Sequence, residues 1–74
     1  MNIHIEYCIK WNYEPEFDRV SKIIKKISPN SNISSNREHP RSGAFEIEID
    51  GITVYSKLKT YNFPRKEDIK KLLK

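Results

Sequence analysis

Cysteine is almost missing from this chain: Cys8 is the only one among 74 residues. No disulfide can therefore close within one copy, and a lone thiol suits a reducing compartment, so the expected location is the cytosol. No apolar run approaches the ~18 residues of a membrane-spanning helix, and the N-terminus lacks the apolar core of a signal peptide. One cysteine and two histidines (His4 and His39), with no Cys-x-x-Cys spacing, fall short of the three or four ligands of a zinc site. No metal and no bound cofactor are expected. Glycine is nearly as scarce, at Gly43 and Gly51 only, so there is no Gly-rich phosphate loop. The 14 basic and 10 acidic residues give a net charge of +4. They are spread along the chain without a long basic block, so nucleic acid is not an expected partner.

What is present reads as one domain over residues 1–74. Ile3, Ile5 and Tyr7 alternate with His4 and Glu6, which predicts a strand over Asn2–Tyr7. A helix follows over Pro15–Ile27, with proline in the first turn, Glu14, Glu16 and Asp18 at the positive end of the helix dipole, and Lys25 and Lys26 at the other. Phe17, Val20, Ile23, Ile24 and Ile27 form its apolar stripe. Ser31–Asn36 is a short edge strand, and Asn36–Gly43 a polar loop. Ala44–Ile49 alternates strictly, Asp50-Gly51 is a two-residue turn signal, and Ile52–Lys57 returns. Leu58–Phe63 is a loop, and a last helix covers Arg65–Leu73.

The order is β-α-β-β-β-α. Each clear strand has one apolar and one polar face, so the fold is α+β in two layers. Both helices cover one face of a four-stranded mixed sheet. The other face, with His4, Glu6, Glu46, Glu48, Thr53 and Tyr55, is expected to be solvated. Glu46 and Glu48 then belong to a polar surface and not to an acid–base pair.

Cys8 stands where the first strand ends and a loop feeds a helix. Two readings remain open there. Helix N-terminal amides, with Lys10 nearby, can favour a thiolate; alternatively Cys8 is a small buried apolar side chain. Trp11 reads as a partly buried anchor over the same loop.

Three segments together resemble the selenoprotein W-like family, also called Rdx, of thioredoxin-like proteins. Ile5-Glu6-Tyr7-Cys8-Ile9-Lys10-Trp11-Asn12-Tyr13 is similar to the family's Tyr-Cys-x-x-(selenocysteine or Cys)-x-Tyr segment. Ser42 to Gly51 is similar to its Gly-(Ala/Phe)-Phe-Glu-Val strand and turn, and Val54 to Leu58 with Phe63-Pro64 to its Ile-x-Ser-Lys segment and following loop. The resemblance covers nearly the whole chain. It implies a thioredoxin-like fold and a redox role with glutathione or thioredoxin-type thiol proteins, in a monomer. Cys8 matches the first cysteine of the motif. Trp11 falls on the selenocysteine or second cysteine and does not match, so the two-thiol mechanism is lost as the chain stands. A natural one-thiol member, a selenocysteine replaced by tryptophan (UGA is read both ways in nature) and a noncatalytic protein-interaction module all fit that departure.

Overall fold

The computed structural model describes residues 1–73. The strands and helices are β1 (Asn2–Tyr7), α1 (Glu14–Ile27), β2 (Asn32–Ser35), β3 (Phe45–Ile49), β4 (Ile52–Ser56), α2 (Lys57–Thr60) and α3 (Lys66–Leu72). The strands form one sheet in the order β2-β1-β3-β4. β1 pairs parallel with β2 and antiparallel with β3, and β3 pairs antiparallel with β4. A parallel β1–β2 pair requires a crossover connection, which α1 supplies.

Alternation on the strands decides what is buried. Ile3 and Ile5 of β1 and Phe45 and Ile47 of β3 share one face, and Val20, Ile24 and Ile69 of α1 and α3 meet them there. All seven are at most 2% exposed. Both longer helices therefore lie on the same side of the sheet. Aromatic rings extend this core toward the end of β1: Tyr7 stacks on Phe17 at 4.7 Å, and Phe63 meets Tyr13 and Phe45 edge-on at 4.7 and 5.5 Å. Arg19 fastens α1 to the segment before α3, donating to the Pro64 carbonyl at 2.8 Å while paired with Glu16. The β3–β4 turn is held by Asp50, whose carboxylate accepts the Asn2 N–H at 2.9 Å. Asp50 and Gly51 both take positive φ (49° and 87°), as a tight two-residue hairpin demands.

Four expectations need correction. The segment after β4 is not all loop: Lys57–Thr60 forms a helical turn, because the Ser56 hydroxyl accepts the Lys59 N–H and caps it. Ile27, expected in the buried stripe, is the last residue of α1 and is 39% exposed. A register irregularity between Ile47 and Glu48 sets Tyr55 opposite Ile47, and so on the core side rather than the polar side. The largest change concerns the polar face of the sheet, where Glu46 is buried and the 36–43 loop is tied across its neighbours. Among the described residues, no helix is long and apolar enough to cross a membrane.

Ile69 is the only fully buried side chain of α3, so α3 docking rests on it. Ile69→Ala is expected to cost ~2–5 kcal/mol in urea unfolding, whereas the exposed Ile52→Thr should stay within about 0.5 kcal/mol of wild type. Equal effects at the two positions would contradict this assignment of the core.

Candidate functional site

The end of β1 is held from both sides. On the β2 side, Asn36 acts as one more strand residue. Its backbone N–H donates to the Ile5 carbonyl at 3.2 Å. Its side-chain oxygen accepts the Tyr7 N–H at 2.9 Å, and its amide nitrogen donates to the Tyr7 carbonyl at 3.2 Å. On the β3 side, the Cys8 N–H donates to the Ala44 carbonyl at 3.0 Å. Cys8 is thus placed by backbone pairing, and it is 2% exposed.

The chain then folds into a compact turn. The Tyr13 N–H donates to the Cys8 carbonyl at 3.1 Å and the Asn12 N–H to the Ile9 carbonyl at 2.9 Å. Asn12 takes φ 59°, the left-handed conformation that asparagine tolerates better than most residues. This nested pair of bonds is the paperclip that usually ends helices, used here on its own. Ile9 and Trp11 are turned outward, at 63% and 57% exposure. Trp11 does not bury as an anchor, yet its ring has a defined seat. A Cβ built on Gly43 would lie 3.2 Å from it. Gly43 also has φ +72°, so glycine answers both a conformational and a steric demand there.

α1 begins only at Glu14, with Tyr13 as its cap. Glu16 and Phe17 donate to the Tyr13 carbonyl, and Pro15 has no N–H. Lys57 lies 5.3 and 5.4 Å from the Tyr13 and Phe63 ring centres, closing the aromatic side of the site.

Behind Cys8, the polar face of the sheet carries Glu6 directly opposite Glu46 and His4 opposite Glu48. Like charges facing each other across an antiparallel pair repel. The 36–43 loop supplies the counter-charge. Arg41 donates to Glu6 through Nε (3.1 Å), Nη2 (2.9 Å) and its own backbone N–H (2.7 Å), and its Nη2 lies 3.5 Å from Glu46. Arg37 grips both oxygens of Glu48 at 3.0 Å. Glu46 also accepts from the Ser56 hydroxyl and the Leu58 N–H. Between loop and sheet lies an open cleft of about 490 Å³ lined in part by His4, Glu6, Arg37, His39, Arg41 and Glu48. Both histidines reach it, but no group of three metal-ligating side chains forms among the described residues. Arg37, Arg41 and Asn36 were not singled out from sequence. The available signal was the pair of strands with facing glutamates, which calls for cations from elsewhere.

Hydrogen bonds from Arg41 hold the Glu6 carboxyl below its usual pKa, and Glu6 in turn raises Arg41. His4, whose Nδ1 is 3.0 Å from the Ser34 hydroxyl, is lowered by burial and then by Arg37. Both depressed groups bind protons more readily in the unfolded chain, so stability falls as pH falls. The loss through His4 begins below about pH 6.5, and that through Glu6 below about pH 4.3. Glu6→Gln is expected to flatten the lower limb of a stability-versus-pH curve and His4→Asn the upper one. Unchanged limbs in these variants would contradict the electrostatic assignment.

The Rdx family model matches residues 2–74. Migration and invasion enhancer 1 of Mus musculus and that of Bos taurus are each 35% identical to this chain over 69 residues. The match covers 93% of this chain and 58% of each of theirs, so the chain spans less than two thirds of these relatives. Two crystal structures share the fold. A selenoprotein W-related protein from Vibrio cholerae superimposes with a TM-score of 0.77 at 21% identity, covering 99% of this chain and 96% of that one. A Bordetella parapertussis protein also gives 0.77, at 15% identity, covering 97% and 91%. With the family model matching almost the full length of the chain, the chain belongs to the Rdx family.

Proposed function

We propose that this protein is a one-thiol redox protein acting through Cys8. Family membership makes a thioredoxin-like, redox-related role the frame. The observation that carries the finer reading is the placement of the lone cysteine at the end of β1, fixed by backbone bonds on both sides of the strand end. The Cys8 thiolate attacks one sulfur of glutathione disulfide, forms a mixed disulfide and expels glutathione thiolate. A second, external thiol, from glutathione or a thioredoxin-type protein, attacks that mixed disulfide and returns Cys8 as thiolate. Trp11 occupies the place of a resolving atom and cannot perform that step. Because Cys8 is 2% exposed, the turn that carries it must open before the attack. No cofactor is needed, and the cytosol supplies the thiol pool this chemistry uses.

The same burial favours a second reading. A covered thiol beside exposed Ile9 and Trp11 is also what a noncatalytic protein-interaction module on this fold presents. The two readings separate on one residue. Incubation with glutathione disulfide should give a single glutathione adduct by mass spectrometry, absent from Cys8→Ser and reversed by added thiol. Failure to form it, with partner capture intact in Cys8→Ser, selects the interaction module.

A variant tests the mechanism from the other side. Cys8 and Trp11 are three residues apart on a tight turn, a spacing of about 5–6 Å at Cβ on a helical turn that the opening needed to uncover Cys8 can bring to the ~3.5–4.5 Å of a disulfide. Trp11→Cys is therefore expected to close an intramolecular disulfide under mild oxidation, detected as loss of both free thiols. Two thiols that stay free would show that the turn has departed from a dithiol geometry.

A further inference from the structure

We propose that Arg41 is a positioning residue for Cys8: its grip on Glu6 holds the 41–44 turn against the Cys8 loop, and releasing that grip uncovers the thiol. The inference deepens the redox reading above and rests on it for its biological sense, though not for its test.

The connection is a closed ring of bonds. Arg41 opens a four-residue turn, closed by the Ala44 N–H donating to the Arg41 carbonyl at 3.2 Å, with Gly43 at positive φ in its third position. The two far residues of that turn are the two that touch the Cys8 loop. Ala44 accepts the Cys8 N–H, and Gly43 seats the Trp11 ring. The turn is thus fixed to the Cys8 loop at one end and to Glu6 at the other. Glu6 stands two positions before Cys8 on β1, so the ring returns to its start. Three bonds from one arginine to one carboxylate, one of them from the backbone, set the position of the whole turn.

Two further observations make this a latch and not only a brace. The Arg41 side chain is 61% exposed, so water and competing anions reach the ion pair. Solvent screening on the arginine side limits what the pair contributes, so its loss opens the turn without unfolding the domain. Within the turn that carries buried Cys8, Ile9 and Trp11 are already largely in solvent, so opening the turn exposes little further apolar surface from them. A local opening limited to the 8–13 and 41–44 turns leaves the seven-residue core intact. The other arginine of the loop provides the internal control. Arg37 grips Glu48 on the same sheet face through Nη2 alone and, among the described residues, makes no bond to the 41–44 turn or to Cys8.

The test is the rate at which native Cys8 reacts with an aromatic disulfide reagent, read beside the urea-unfolding stability of each variant. Arg41→Ala is expected to raise the rate about tenfold, the ratio that about 1.4 kcal/mol of lost closure gives, with a rate that low concentrations of urea do not change, as a local opening requires. Glu6→Gln weakens the pair from the opposite side and should raise it in the same direction. Arg41→Lys keeps the charge but not the fork, and should fall between wild type and Arg41→Ala. Arg37→Ala removes a pair that survives the local opening, and should leave the rate at the wild-type value even where it lowers global stability. Trp11, the only tryptophan, should become more quenchable by acrylamide in Arg41→Ala before any reagent is added. Rates that follow global stability in every variant, or that match wild type in Arg41→Ala and Glu6→Gln, overturn the proposal. The redox reading fails separately: no glutathione adduct on an opened Cys8 removes that reading and leaves the latch standing, while an adduct whose rate is indifferent to Arg41 does the reverse.

Discussion

Glu6 and Glu46 face each other across the β1–β3 ladder, and most of what is unusual in this small domain answers that repulsion. Leaving both carboxylates in water would solve it, but Glu46 is 8% exposed. Arg41 stands between them, and reaching that place draws the 36–43 loop across the polar face of the sheet. The same loop starts with Asn36 on Tyr7 and ends with Ala44 on Cys8. One charge arrangement on the back of the sheet therefore sets the position of the thiol at its end.

That arrangement bears on the chemistry. In a two-thiol protein the second sulfur does part of the work of releasing a bound partner. Here Trp11 holds the third place after Cys8, and under the proposed one-thiol reading resolution falls to an external thiol. A one-thiol site also gains from being covered, because a permanently exposed thiol reacts with whatever oxidant it meets. The paperclip turn, the Trp11 ring on Gly43 and the Arg41–Glu6 pair together form a cover of few bonds, separate from the aliphatic core. Such weakly held segments are where functional motion is drawn from in folded proteins.

The parts of the fold legible in the sequence were those governed by period and by turn chemistry. Ile3/Ile5 and Phe45/Ile47 alternate at a period of two, Val20 and Ile24 recur at helical spacing, and Asp50-Gly51 has almost no other use than a hairpin. The resemblance to the Rdx family rests on Ile5–Tyr13, Ser42–Gly51 and Val54–Leu58 with Phe63-Pro64. What was not legible came from contacts between distant residues. Polar alternation at Glu46 looks like a solvated face until Arg41, Ser56 and the Leu58 N–H arrive from three other segments. The Ser56 cap on α2 was present in the sequence but masked by the strand pattern that runs into it. The irregularity that turns Tyr55 inward depends on β3 pairing and leaves no mark on β4 itself.

The central claim is that Cys8 is covered by a local structure that opens without unfolding the domain. Native-state hydrogen exchange at the Cys8 amide measures this directly, because that N–H is bonded to Ala44 across the cover. That amide is expected to exchange faster than the β1 core amides of Ile3 and Ile5, through an opening that denaturant does not accelerate. Exchange of the Cys8 amide at the rate of those core amides, rising with denaturant as they do, would mean that the thiol is reached only by global unfolding, and would contradict the account.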